Sequence, residues 1–404
     1  MTTPSRGIRH SDSASAAPVG QCDVQTSPLV SVCSEIGRGH PAYLDSVLLA
    51  LARLFPDKPA APYFTVPRLC NGASGLAWKL ARFGYRLGAQ GGPATWLYNR
   101  LRSPDAKPSG LQLTLLGASL RRTFAGHDGI CIVDHPLLAH ILAPVCRVAY
   151  LHCEIAAPRL AAVPCAWRTF VPLQSTSLKL QVWGVRPDAL AVTGLVVEPE
   201  IVKVADTACQ TRLARIESDE PLTVGFFGSG AEPRPHLSSI ITGVASVTRA
   251  GHKAILSWGT GWVKAAKVNL ALRRQGAVEE SCRVLWARSR PAATTAVAGV
   301  FPDLDLMVCA AHERTNWAIG LGLPMFALLP NIGPFAAGNY AFASEQRTCL
   351  PLEGTAGAAG LADTIAALRR DGTLAAMARA GWGRHTIAGA ETTARELLSA
   401  TTAK

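Results

Sequence analysis

Residues Val32–Ala42 read VCSEIGRGHPA, and the fold can be predicted outward from this stretch. The overlapping residues Pro28–Cys33 are mostly apolar and β-prone, so we expect a buried strand to end here. Gly37-Arg38-Gly39 can form a tight turn, and Pro41 stands where the first turn of a helix tolerates proline. The stretch therefore predicts a strand, a glycine-containing turn and a helix in direct succession.

The predicted turn has two chemical features. Backbone N–H groups at a helix start, together with the helix dipole, form a natural site for a phosphate, so Gly37, Arg38 and Gly39 are candidate residues of a phosphate or acceptor loop. His40 lies at the same helix start, where an imidazole can act as a general base near neutral pH. Turns with glycine and histidine are common, so this interpretation depends on the rest of the chain.

The composition is that of a globular protein. A chain of 404 residues with 49% hydrophobic and 17% charged positions predicts two domains of roughly 170–200 residues. The formal net charge of +12 indicates an anionic partner. Eleven cysteines without a C-x-x-C pair or a Cys/His cluster favour a reducing compartment, and we predict no metal site. We expect no membrane-spanning segment, and a disordered tail at residues 1–27.

Strand-like segments alternate with helical or loop segments in two series. They are residues 28–33, 129–133, 148–152, 168–171, 222–226, 254–257, 283–286, 304–309 and 325–329. The second series opens with Leu222–Phe226, the loop Gly228-Ser229-Gly230 and a helical pattern at His236–Arg249. Two strand, glycine loop and helix units predict an α/β protein with two Rossmann-like domains that face each other across a cleft. We predict these domains at residues 28–195 and 196–404.

Polar residues follow two strands of the first series. Asp134 comes after one strand, and His152 and Glu154 come after the next. Open α/β sheets bind ligands at the carboxyl ends of their strands, so these residues are expected near a site. For Asp134, a structural role such as capping the following helix is an equal alternative to catalysis.

Residues 71–102 interleave aromatic residues with cations. These residues are Trp78, Phe83, Tyr85, Trp96 and Tyr98, and Lys79, Arg82, Arg86, Arg100 and Arg102. The composition is typical of a segment that lies in a membrane interface. The alternative is a surface helix pair whose aromatic rings turn into the core, and the sequence leaves both open. No nucleic-acid-binding motif is present, so we predict no nucleic-acid partner.

Four stretches carry a resemblance to a known family. They are SEIGRGHPA at 34–42, VWGVRPDALAVTGLVVEP at 182–199, VGFFGSGAE at 224–232, and the run 304–339 with GLGLPM and GPFAAGN. They resemble the GT-B glycosyltransferases, in particular the monogalactosyldiacylglycerol synthases, the processive diacylglycerol glucosyltransferases and the peptidoglycan-precursor N-acetylglucosaminyltransferase. The resemblance implies the GT-B fold and transfer of a sugar, with inversion, from a nucleoside diphosphate, usually UDP, to a lipid or lipid-linked acceptor. The first domain would bind the acceptor and the second the donor.

The resemblance also implies roles for individual residues. His40 would take the proton from the acceptor hydroxyl. The implied donor-binding residues are Gly228, Ser229 and Gly230 at the diphosphate, Trp286 near the base ring, and Gly333, Pro334, Phe335 and Asn339 near the sugar and phosphates. No metal or cofactor is implied.

One departure from the family pattern concerns the ribose. Relatives carry a glutamate that binds the ribose in the helix before the Gly-Leu-Pro turn, where the comparable positions of this chain are Asn316, Trp317 and Ala318. Asn316 or the nearby Glu313 can replace that glutamate, or Thr315 and Asn316 can cap the helix instead.

The sequence therefore leads to one main hypothesis. We expect an inverting, UDP-sugar-dependent glycosyltransferase with a lipid acceptor, cytoplasmic and peripheral on the inner face of an anionic membrane. The alternatives are a glycosyltransferase with a soluble small-molecule acceptor and a nucleotide-binding scaffold without turnover. Nucleotide-sugar epimerases share the fold and form a further alternative.

Overall fold

The computed structural model describes residues 24, 27–37, 39–88, 90–103, 105–230 and 233–402. Arg38 of the predicted phosphate loop lies outside these residues, as does most of the predicted tail. Within the described residues, twelve strands form two six-stranded sheets whose neighbouring strands are all parallel. No helix in this part of the chain is long and apolar enough to cross a membrane.

The first sheet has the order β2-β1-β3-β4-β5-β6. Its strands are β1 (Leu29–Cys33), β2 (Tyr63–Thr65), β3 (Ile130–Val133), β4 (Arg147–Leu151), β5 (Arg168–Val171) and β6 (Leu190–Val192). The helices of this part of the chain are α1 (Gly39–Leu54), α2 (Val66–Leu69), α3 (Gly72–Gly88), α4 (Gly92–Leu101), α5 (Gly110–Phe124), α6 (Pro136–Leu142) and α7 (Gln174–Val182). Helix α8 (Pro199–Glu217) leads to the second sheet.

The second sheet has the order β12-β11-β10-β7-β8-β9. Its strands are β7 (Thr223–Phe227), β8 (Lys253–Thr260), β9 (Cys282–Ala287), β10 (Leu306–Cys309), β11 (Met325–Leu328) and β12 (Cys349–Leu352). The helices are α9 (Arg234–Arg249), α10 (Trp262–Arg274), α11 (Arg290–Val300), α12 (Thr315–Gly320), α13 (Ala336–Glu345), α14 (Gly354–Ala359), α15 (Leu361–Arg370), α16 (Thr373–Ala380) and α17 (Gly389–Thr402).

The central strands are buried on both faces, which is why they are continuous apolar runs in the sequence. All four residues of β3 and all four of β10 are buried. Strand β1 ends at Cys33 and α1 begins at Gly39, as the opening stretch predicts. The prediction of an α/β protein with two Rossmann-like domains is confirmed.

Helix α17 follows the second domain in the sequence but packs against the first domain. Ala390, Ala394 and Leu397 of α17 lie in one hydrophobic cluster with Leu44 and Val47 of α1. Their spacing puts small and apolar side chains on one face of the helix, which fits closely against α1. Residues 389–402, which the sequence prediction assigned to the second domain, therefore belong by their contacts to the first.

Candidate active site

Two adjoining cavities lie between the domains. The large cavity has a volume of about 290 Å³ and the small cavity about 80 Å³. Their shared wall consists of Ile36, Gly37, Tyr85, Gly230 and Glu313. The carboxyl ends of both sheets therefore meet here, as expected for a ligand site in α/β folds.

The large cavity is rich in charged side chains. Its cations are Arg82, Arg86, Lys264, Arg290 and Arg314, and its carboxylates are Glu35, Glu198 and Glu313. Arg314 donates to Glu313 over 2.7 Å. Guanidinium groups offer several N–H donors in a fixed geometry that suits phosphate oxygens. The large cavity thus combines donors for an anion with carboxylates that can accept hydrogen bonds from hydroxyl groups.

One cation of the large cavity also joins the two domains. Arg290 stands at the start of α11 and binds Asp45 of α1 through two nitrogens, at 2.6 and 3.1 Å. The same guanidinium donates to the hydroxyl group of Tyr63 over 2.6 Å. This contact holds the cleft closed on the side of the large cavity.

The small cavity contains His40, which α1 presents from its first turn. The His40 ring packs edge-on against His135, with ring centres 5.0 Å apart, and against Phe335 at 5.4 Å. Its Nδ1 atom is buried and has no hydrogen-bond partner among the described residues. Burial, and then His152 and His312, lower the pKa of His40 to about 3. At neutral pH the imidazole is therefore unprotonated, which is the form that a general base requires.

Glu154 lies on the wall of the same cavity and, unlike His40, is protonated at neutral pH. Its Oε2 atom accepts a hydrogen bond of 2.6 Å from the amide of Asn339. Burial is the main cause that raises the pKa of Glu154 to about 8, so this carboxyl group keeps its proton at neutral pH. The small cavity thus contains one carboxyl group that is protonated and one imidazole that is unprotonated at neutral pH.

Asp134 has a structural role. Its carboxylate accepts from the backbone N–H of Ser34 at 2.9 Å, from the Ser34 hydroxyl at 3.1 Å and from the thiol of Cys33 at 3.5 Å. It thereby ties the end of β3 to the loop after β1. The cap of α6 is instead His135, whose Nδ1 accepts from the backbone N–H of Leu137.

The structure brings most of the predicted loop residues to the cavities. Those on a cavity wall are Gly37, Gly39, His40, Ser229, Gly230, Gly333, Pro334 and Phe335. Gly37 has a φ of +70°, which favours glycine, and a Cβ there would lie 3.3 Å from the Tyr85 hydroxyl. The Ser229 hydroxyl is buried with no partner in the described chain, so it is available to a ligand.

Gly228 has a different reason to be glycine. Its N–H donates to the carbonyl of Ser257 over 3.1 Å, and a Cβ at this position would lie 2.8 Å from ring carbons of Trp258. Gly228 is therefore required by packing against β8. In this structure the Gly228 amide is already bonded, so it does not have the role at a diphosphate that the sequence predicts.

Four predicted donor-binding residues line neither cavity: Trp286, Thr315, Asn316 and Asn339. Asn316 is buried and donates to the carbonyls of Cys153 and Val196 at 3.5 and 3.2 Å. The Asn339 amide makes two hydrogen bonds to the first domain, with Ala156 and Glu154, and one to Ala311 within the second domain. Trp286 has 47% of its surface exposed, on the edge strand β9.

Of the two candidates to replace the ribose glutamate, only Glu313 lines the cavities. A Cβ on Gly39 would lie 2.9 Å from its Oε2, so the absence of a side chain at residue 39 leaves room for this carboxylate. Sequence reasoning placed Glu154 near the site but missed other cavity residues, including Glu198, Lys264 and Arg290. Glu198 lies near the end of the stretch at 182–199, for which the resemblance implies no site residue, and nothing local distinguishes Arg290 from other surface cations.

No protein-family model and no curated protein sequence matches the chain. Solved structures do match. The UDP-GlcNAc 2-epimerase from Neisseria meningitidis bound to UDP-GlcNAc is 10% identical, with 93% of this chain and 100% of that chain covered and a TM-score of 0.53. The S. aureus MnaA co-structure with UDP is also 10% identical, with 92% and 95% covered and a TM-score of 0.53.

At 10% sequence identity, the similarity to these structures shows the fold alone. Together with the two parallel sheets it confirms the GT-B fold that the sequence resemblance implies. The narrower relation to the lipid and peptidoglycan transferases stays a prediction.

Proposed function

We propose that the protein is an inverting, UDP-sugar-dependent glycosyltransferase that acts on a hydroxyl group of a lipid. The observation that carries the proposal is the pair of adjoining cavities, one rich in cations and one containing His40. A transferase must hold two substrates side by side. Gly37, Gly230 and Glu313 belong to the wall that the two cavities share, and the reacting atoms of the two substrates meet at this wall.

The donor occupies the large cavity in this proposal. Cationic side chains there offset the charge of a diphosphate, and this effect grows as the leaving UDP gains negative charge. Glu198 and Glu313 accept hydrogen bonds from sugar or ribose hydroxyls. The choice of uridine is supported by the two similar structures, which contain UDP-GlcNAc and UDP.

The acceptor hydroxyl enters the small cavity beside His40. The unprotonated imidazole takes the hydroxyl proton while the oxygen forms a bond to the anomeric carbon of the sugar. The bond between that carbon and the diphosphate oxygen breaks, and UDP leaves with its electron pair from the opposite side. This displacement inverts the anomeric configuration. It needs no cofactor.

A nucleotide-sugar epimerase is the second candidate. The similar structures favour it, since one is a 2-epimerase, and so does the pair formed by Glu154 and His40. An acid and a base in one cavity can remove a proton and return one. An epimerase needs no acceptor, and this difference separates the two candidates.

The decisive experiment offers a panel of radiolabelled UDP-sugars to the protein with and without anionic vesicles that contain diacylglycerol. Released UDP with label in the lipid phase, only when vesicles are present, is the result we expect. A new UDP-sugar formed without vesicles would identify an epimerase. Binding of UDP with no product in either condition would identify a scaffold without turnover.

A matched pair of lysines tests the position of the donor. Lys264 and Lys267 are both exposed on α10, but only Lys264 lines the large cavity. We expect Lys264→Ala to weaken UDP binding about fivefold to tenfold, because it removes one cation near the diphosphate. Titration calorimetry with UDP should show no change for Lys267→Ala. Equal effects of the two substitutions would contradict a donor site in this cavity.

The pH dependence follows from the Glu154 carboxyl group. Activity should stay level between about pH 5 and 7, because His40 remains unprotonated there, and should fall above about pH 8, because the ionised Glu154 then adds negative charge next to the cavity that holds the donor diphosphate. Folding raises this pKa from its ordinary 4.5, so the stabilising contribution is present below pH 4.5 and is lost as pH rises through about 8.

The control for this profile is Glu154→Gln, which stays neutral at every pH. This variant should lack the alkaline fall in kcat/KM and also the corresponding loss of stability in thermal unfolding. An alkaline fall that persists unchanged in Glu154→Gln would show that another group is responsible.

A further inference from the structure

Helix α3 exposes an apolar stripe on the side that faces away from the cavities. Leu76, Leu80, Phe83 and Leu87 have 50% to 63% of their surface exposed, and their spacing puts them on one face. On the opposite face, Trp78 is buried and donates from its indole N–H to the carbonyl of Leu116. The helix is thus packed on one side and apolar on the other, where a surface helix normally carries polar residues.

The neighbouring helices extend this exposure. Helix α3 packs against both α4 and α5, which carry further large apolar side chains in contact with solvent. We call all of these the apolar surface: Leu76, Leu80, Phe83 and Leu87 on α3, Trp96, Leu97 and Leu101 on α4, and Leu111 and Leu115 on α5. So many large apolar side chains on one group of helices are the mark of an interaction surface.

The charge around the apolar surface identifies its partner. Residues 66–124 contain nine lysines and arginines and one acidic residue, Asp105, so this segment carries +8 of the net charge of +12. Lys79 and Arg100 are exposed on the same helices as the apolar side chains. The Arg100 guanidinium lies 5.3 Å from the centre of the Trp96 ring. Cations next to exposed aromatic and leucine side chains suit a negatively charged membrane interface.

We propose that the apolar surface docks the protein on a bilayer that contains anionic phospholipids. A second copy of this chain is a poorer partner, because two surfaces of the same strong positive charge repel each other. Membrane docking rests on the proposed function, because a lipid acceptor is what would require the protein to bind a bilayer. Docking can nevertheless be measured without turnover.

The same helices connect the apolar surface to the small cavity. Tyr85 of α3 and Tyr98 of α4 line that cavity. The Asn99 amide of α4 accepts from the N–H of Gly333 at 3.1 Å and donates to the carbonyl of Asn331 at 3.3 Å. A bilayer held by α3 and α4 would therefore contact helices that also line the small cavity.

The test is flotation of the full chain with vesicles of phosphatidylcholine alone or with about 30% phosphatidylglycerol. At about 0.1 M salt we expect at least about tenfold tighter binding to the anionic vesicles, with most of it lost at about 0.5 M salt. The double variant L80D/F83D should lower binding to anionic vesicles by at least about tenfold. Both positions are exposed, so the variant is expected to fold, and circular dichroism checks this.

The matched control is L178D/V182D on α7, where two exposed apolar residues receive the same charge change outside the apolar surface. It should bind anionic vesicles like the unchanged protein. Equal losses in the two double variants, no preference for anionic vesicles, or a dimer in light scattering that only L80D/F83D disrupts would each overturn the inference.

Turnover is measured separately with a detergent-solubilised acceptor, so the two proposals fail in different ways. Docking without turnover of any UDP-sugar would contradict the proposed function and leave docking in place. Turnover without docking would contradict docking alone.

Discussion

His40→Ala is expected to lower kcat by about 10²- to 10⁴-fold at neutral pH, the range that general-base catalysis contributes. The imidazole is buried in the small cavity, unprotonated, and has an Nδ1 atom without a partner in the described chain. Because His40 lines only the small cavity, UDP affinity should stay within about twofold of its original value. The loss should therefore concern the chemical step.

The control for this substitution is the neighbouring His135. Asn at this position keeps a side-chain cap for α6, so His135→Asn should change kcat by less than about tenfold. Steady-state kinetics and titration calorimetry with UDP separate the two effects. If His40→Ala keeps its turnover, or loses UDP binding together with turnover, His40 is not the base.

The position of His40 could be predicted because the signals for it are local. A buried strand, a glycine with positive φ and a proline in the first helical turn follow one another within eleven residues, and each restricts the backbone by itself. Nine of the twelve described strands could be predicted for the same reason, since burial on two faces leaves a continuous apolar run, whereas the edge strands β2, β6 and β12 were not predicted.

The rest of the site depends on partners that are distant in the sequence. Arg290 binds a carboxylate 245 residues away, and the Asn316 amide binds a carbonyl 163 residues away. The small residue at 228 fits a ring on the neighbouring strand, which a glycine pattern cannot distinguish from a phosphate loop. The packing of helix α17 could not be predicted either, because the apolar face of a helix does not determine which domain it packs against.

Asn339→Ala is expected to destabilise the protein without nucleotide by about 2–4 kcal/mol, because it leaves buried polar groups unsatisfied. The Asn339 Oδ1 accepts from the N–H of Ala156 at 2.9 Å. Its Nδ2 donates to Glu154 at 2.6 Å and to the carbonyl of Ala311 at 3.1 Å. Chemical denaturation measures the loss, with Asn269→Ala on the exposed side of α10 as the control.

This experiment also decides between two roles for Asn339. A residue that contacts the donor, as the sequence resemblance implies, would weaken UDP binding when replaced and leave the free protein as stable as before. A residue that joins the domains gives the reverse, and Asn339→Asp should then destabilise the protein even more at high pH, where its carboxylate and that of Glu154 are both ionised. Unchanged stability of Asn339→Ala would return Asn339 to the donor site and require the domains to part when UDP binds.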